Sequence, residues 1–297
     1  MNINATLTAS LHRQQTASSN DWEATFRQMA LFDLAADMEL GFFLSYYRNF
    51  AIPSIAATLH ANAEIQRRPM KRSYDTAIVI YELISCGLDS DRGRTMLELL
   101  NRVHRNVPGS KDDFLYVVLT LLVVPIRWIQ KHAWRQPTTA ELAAASRFFT
   151  ELGTRMNITG MPVTYAEAEV FFDRYEAAHI APSVEGRQLM NATVQVFQSR
   201  LPAPLRPLAK QLISTMLDDD RLAGALGLPR AGRIWRITLK TGLAARNAIR
   251  RRRPLKTKAH FTPGDAGSTL YPGGYSLDQI GPVNVPSSPV PSGNELP

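Results

Sequence analysis

Three residues in this chain combine a type and a spacing that could do chemistry together: Arg72, Thr76 and His104. Arg72 and Thr76 stand four apart in PMKRSYDTAIVIYELISC, residues 69–86. Residues four apart share a helix face, and this face continues into the apolar Val79, Ile80 and Leu83. An arginine heading an apolar stripe either snorkels outward to pair with an acid or needs a partner inside, because an unpaired buried charge is very costly. His104 follows MLELLNRV, whose Met96, Leu99, Leu100 and Val103 recur at helical spacing and lead on to Val107. The imidazole therefore turns towards the apolar side, while Arg102 and Arg105 point elsewhere. Such a histidine is either a core residue hydrogen-bonded to a carbonyl or a single axial ligand to haem iron held among apolar helices. The residue types alone leave both readings open.

Other chemistries lack their motifs. There is no glycine-rich nucleotide fingerprint, P-loop, HExxH or GxSxG. The single cysteine, Cys86, excludes a disulfide framework and a cysteine-rich zinc site and fits a reducing, intracellular setting. His60 and His179 lie on helix edges, His132 is near Trp128 and Trp134, and His12 and His260 lie in the ends of the chain. No two histidines fall four apart on one helix, so no short-range zinc pair is visible.

The elements that must position these residues read as helices throughout. SKDD (110–113), TTAE (138–141) and TYAE (164–167) each place a hydroxyl three residues before an acid, just ahead of an apolar-periodic run. Pro53 and Pro69 sit where first-turn prolines belong, and Gly87 is placed to stop the helix before it. The periodicity predicts helices over 22–48 (broken near its middle), 53–65, 69–86, 91–106, 113–134, 139–156, 165–179, 184–199, 204–217 and 230–250, with a kink at Pro125. Residues 1–20 are expected to be disordered and 21–253 to form one all-α domain. An extended Pro/Gly-rich tail, 254–297, is expected to dock in part through YPGGYSLDQIGP, 271–282, with its end disordered.

The net charge is +8, and part of the excess sits in ARNAIRRRRPLKTK, 245–258. This run is either a solvated helix end, where cations favour the dipole, or a contact for an anionic membrane surface. No aromatics interleave with its charges, which argues against nucleic acid. The N-terminal stretch lacks the apolar core of a signal peptide, and FLYVVLTLLVVPI, 114–126, is short of the roughly 20 apolar residues that span a bilayer. The expected place is intracellular, cytoplasmic or peripheral at a membrane.

The motifs in order carry a resemblance. RSYDT (72–76), NRVHRNV, DDFLYVVLTLLVVPIRWI, HAWRQPTTAE, FFTELGTRMNITGMP, VTYAEAEVFFDRYE and YPGGY together resemble the all-helical MpaB/rubber oxygenase catalytic domain over about residues 20–282. RxxDT, NRVH, PIRW and YPGGY look more like the MpaB branch than the latex-clearing branch. The resemblance implies a globin-like multi-helix domain packed around haem b, with His104 as the proximal iron ligand and Arg72 and Thr76 lining the pocket. It also implies an oxygenase using O2 on an apolar, alkene-bearing, isoprenoid-like molecule. Arg72 would hydrogen-bond a propionate or bound oxygen, with Thr76 a weaker donor. Two departures from the latex-clearing pattern stand out. Asp75 replaces a lysine beside the pocket threonine, and Glu64 is the nearest counterpart of an upstream glutamate base. A haem-free helical module for a lipid or isoprenoid is the alternative expectation, and an anionic-surface adaptor using 245–258 a third.

Overall fold

Side-chain caps set about half of the helix starts. The computed structural model describes residues 21–265 and 270–281, which form 13 α-helices and no strand. They are α1 Trp22–Gln28, α2 Ala35–Asn49, α3 Pro53–Ala61, α4 Glu64–Arg67, α5 Pro69–Cys86, α6 Asp91–His104, α7 Lys111–His132, α8 Thr139–Arg155, α9 Tyr165–His179, α10 Val184–Gln198, α11 Ala209–Leu217, α12 Asp220–Ala225 and α13 Arg233–Arg252. All three expected capping boxes form, at Ser110, Thr138 and Thr164. Pro69 opens α5, and Gly87, at φ 88°, closes it.

The break expected near the middle of 22–48 is a π-helical turn, Met29–Asp33, between α1 and α2. The stretch 53–65 divides because Ala63 turns left-handed (φ 53°) between α3 and α4. The segment 204–217 opens as a 3-10 helix, Ala203–Leu208, before α11, and the short α12 lies outside every expected helix. The expectations for 1–20 and for the tail beyond 281 fall outside the described residues.

The core is one continuous apolar cluster in which Tyr47, Tyr116, Phe26, Phe50, Phe148, Phe149 and Phe172 are fully buried. Each fully buried side chain of this size contributes about 1.5–3 kcal/mol. The most extensive helix pair is α2 on α7. α7 runs on through Pro125, and Gly41 of α2 makes room for it: a Cβ at Gly41 would lie 2.3 Å from the Pro125 Cα. The Ser45 hydroxyl also crosses this interface, donating to the Thr120 carbonyl at 2.7 Å. Elsewhere in the core Arg135 bridges Glu141 (2.7 Å) and Asp33 (3.1 Å), all three side chains nearly fully buried.

Candidate functional site around His104 and helix α5

Helix α5 presents different residues on different faces. With 3.6 residues per turn, Arg72, Ser73 and Thr76 share one face and Lys71, Asp75 and Glu82 another. On the first face the Arg72 guanidinium donates to Thr76 Oγ1, which in turn donates to the Arg72 carbonyl at 2.8 Å. Helix α6 packs against α5 and carries His104 at its last turn.

His104 Nδ1 lies 2.7 Å from the Leu100 carbonyl. A carbonyl can only accept, so Nδ1 carries the proton. Burial lowers the imidazole below its ordinary value; the Leu100 bond works the other way, and the Arg72 charge adds to the lowering. The ring is therefore neutral at pH 7, with the lone pair on Nε2. No hydrogen bond among the described residues engages Nε2, and the Phe114 ring stands edge-on to the imidazole at 6.5 Å.

Arg72 also acts on Tyr46 of α2. Burial raises the Tyr46 hydroxyl, opposed by Arg72 and by Ser73. The hydroxyls of Tyr46 and Ser73 are both buried, and neither closes a hydrogen bond of normal geometry. Arg102 Nε is likewise buried without a partner, while Arg105 is exposed. The structure thus gathers Arg72, Thr76 and His104 with two hydroxyls that spacing does not reveal. Ser73 adjoins Arg72 in RSYDT, but nothing in the sequence links Tyr46, 26 positions upstream, to that motif.

The second face of α5 holds the tail. Asp75 accepts from the Tyr271 hydroxyl (2.7 Å) and the Gly281 amide (3.0 Å), and pairs with Lys71. Lys71 also donates to the carbonyls of Gln279 (3.1 Å) and Gly281 (3.3 Å). Two turns on, Glu82 accepts from the Tyr275 hydroxyl and from Arg92 Nε (2.9 Å). Burial would raise the Glu82 carboxyl, but Arg92 and Tyr275 outweigh it and hold it low. Gly274, at φ 87°, lets the YPGGY turn reach within contact of the Gly264 carbonyl, where a Cβ would lie at 2.5 Å.

The remaining candidates have other partners. Glu64 pairs with Arg68 at 2.7 Å. His60 meets Gln188, His179 donates to the Tyr175 carbonyl, His132 packs at a tilt against Trp128, and His260 meets Glu39. Among the described residues no cluster of three or more His, Cys, Asp or Glu could hold a metal ion by itself.

A family profile described as "ER-bound oxygenase mpaB/B'/Rubber oxygenase, catalytic domain" matches residues 32–250. The chain belongs to this MpaB/rubber oxygenase family. It is 24% identical to the "ER-bound oxygenase mpaB'" of Penicillium brevicompactum, over 91% of this chain and 80% of that protein. It is also 24% identical to the "ER-bound oxygenase mpaB" of Penicillium roqueforti, over 61% of this chain and 66% of the relative. The solved structure of latex clearing protein in its closed state superposes with a TM-score of 0.59 at 17% identity, covering 83% of this chain and 72% of the other. The all-α fold expected from the sequence is thus the fold of this family. As a member of the MpaB/rubber oxygenase family the chain is an oxidoreductase of the oxygenase class. No described helix is long and apolar enough to cross a membrane.

Proposed function

We propose that this protein is a haem b-dependent oxygenase acting on an apolar, alkene-bearing, isoprenoid-like small molecule. The observation that carries the reading is the state of His104. It is a neutral imidazole, its tautomer set by a carbonyl on Nδ1 and its Nε2 lone pair unengaged. Ligating histidines take this form, donating their second N–H to a carbonyl or carboxylate that orients the ring. The donor set fits the group further. A single protein nitrogen suffices where a porphyrin supplies the other ligands, and the buried hydroxyls of Tyr46 and Ser73, which close no hydrogen bond of normal geometry among the described residues, stand near the Arg72 charge.

His104 would hold the iron, and Arg72, steadied by Thr76, would bind a propionate or orient a polar reactant through charge-assisted donors. Bound haem would supply O2 activation. Tyr46 and Ser73 add neutral donors in a region sheltered from water, where each hydrogen bond counts for more. Oxidative cleavage of an alkene by O2 breaks one C=C bond and leaves one oxygen atom on each former alkene carbon, giving two carbonyls. Glu64 is not drawn into this reading, because it is already paired with Arg68.

The test is an absorption spectrum of protein purified after haem-supplemented expression. A Soret band that His104→Ala abolishes, while His132→Ala and His179→Ala keep it and helical circular dichroism is unchanged, supports the reading. Full haem occupancy with an unchanged spectrum in His104→Ala overturns the axial assignment. Absence of haem from the wild-type protein favours the haem-free lipid- or isoprenoid-binding module.

A further inference from the structure

Among the described residues almost nothing lies over helix α13. None of its 20 residues is buried. Its inner stripe, Trp235, Leu239, Leu243, Arg246 and Arg250, is half-buried and rests on α7 and α11. Three cations of the 245–258 run are committed there, Arg251 through a bond from its Nε to the Trp134 carbonyl at 2.9 Å. Arg246 reaches Asp37 at 2.7 Å and the His132 carbonyl at 3.2 Å, and Arg250 lies 5.3 Å over the Trp134 ring.

The opposite face is uncharged along most of its length. Ile234, Ile237, Thr241, Ala244, Ala245 and Ala248 recur at helical spacing and are all exposed, Ile234 by 79% and Ile237 by 53%. At 100° per residue, Arg233 and Lys240 border this face along one side. They are exposed and form no ion pair among the described residues. The helix carries seven Lys and Arg and no acid.

Charge decides what covers such a face. Residues 1–20 and 266–269 contain no Asp or Glu, and 282–297 contain only Glu295, so these segments bring little to match the cations of α13 that form no ion pair. A second copy would set like charge against like, since the chain carries +8 overall. An anionic bilayer matches both features. An apolar strip beside a basic edge seats a helix in the plane of the headgroups, and anionic lipids attract the cations.

We propose that the outer face of α13 docks this protein on an anionic phospholipid surface. Ile234 and Ile237 enter the headgroup boundary, and Arg233 and Lys240 meet the headgroups. The docking is independent of the haem reading and needs no spanning helix.

The full chain is floated with vesicles of phosphatidylcholine alone or mixed with phosphatidylserine. It is expected to float with the mixed vesicles, less so as salt rises, and to stay behind with phosphatidylcholine alone. The double variants Ile234→Asp/Ile237→Asp and Arg233→Glu/Lys240→Glu should each weaken the interaction at least tenfold, on the order expected when the apolar or the electrostatic half is lost. Val170→Asp, at an exposed valine of α9, should change nothing. All these sites are exposed, and unchanged thermal unfolding confirms that each variant is folded. Failure of the wild-type chain to float, or equal flotation of the Ile234/Ile237 variant, overturns the proposal. So does a concentration-dependent dimer that the same substitutions abolish, which would give the face to a second copy.

Discussion

Asp75 and Thr76 are neighbours in the chain but serve different parts of the molecule. Thr76 receives the Arg72 guanidinium on the face towards His104, and Asp75 accepts from Tyr271 and Gly281 of the tail. A step of about 100° around the helix separates them. The residue that departs from the latex-clearing pattern is therefore a clamp for the C-terminal segment, engaged by Lys71 and by the tail.

The Arg72–His104 relationship is measurable by titration. The imidazole is held below its ordinary value of about 6.5, so the unfolded chain binds the proton more tightly. Its contribution to stability is complete above that value and is lost as pH falls from about 6.5 towards the folded value. In Arg72→Gln the NMR midpoint of His104 should rise, yet stay below the ordinary value because burial remains. A midpoint unmoved by Arg72→Gln would show that the charge does not reach the ring.

The clamp should govern the order of the tail. Asp75→Ala removes the acceptor for the Tyr271 hydroxyl and the Gly281 amide and is expected to cost about 1–3 kcal/mol. Tyr271→Phe, which loses only the hydroxyl, should cost roughly 1 kcal/mol. Denaturant unfolding gives the magnitudes. Hydrogen exchange should show faster amides across 271–281 in both variants, and unchanged exchange would mean that the tail is held by other contacts.

Gly41 is the point of closest approach between α2 and α7. A Cβ would meet the Pro125 Cα at 2.3 Å, and backbone cannot move aside as a side-chain tip can. Gly41→Ala should therefore destabilise by roughly 1–3 kcal/mol despite the better helix propensity of alanine. Thermal unfolding checks this, and an equal or higher midpoint would contradict the packing.

Arg135 is the most buried cation in an ion pair, its side chain 2% exposed between Asp33 and Glu141. Glu141 closes the capping box of α8, so the network ties a helix start to the π-helical turn. Arg135→Ala leaves two buried carboxylates facing one another and should cost about 3–5 kcal/mol. Arg135→Met, of similar length, fills the space without restoring the charge. Recovery of full stability by methionine in denaturant unfolding would mean that packing, not pairing, makes arginine necessary there.

What the sequence by itself determined is local. Hydroxyl–acid spacings placed the starts of α7, α8 and α9, Pro69 and Gly87 bounded α5, and helical periodicity put Arg72 and Thr76 on one face and turned His104 towards the apolar side of its helix. These signals act within a turn or two of helix, so a single segment carries them whole. The tertiary structure decided what no segment contains. It brought the Tyr46 hydroxyl of α2 near Arg72, gave Asp75 and Glu82 to the tail some 200 residues away, and left the outer face of α13 uncovered by the described residues. The π-helical form of the expected break at Met29–Asp33 and the left-handed Ala63 lack a proline or glycine to announce them. They arise where burying neighbouring apolar residues outweighs the preference to continue a helix, and that balance depends on partners distant in the chain.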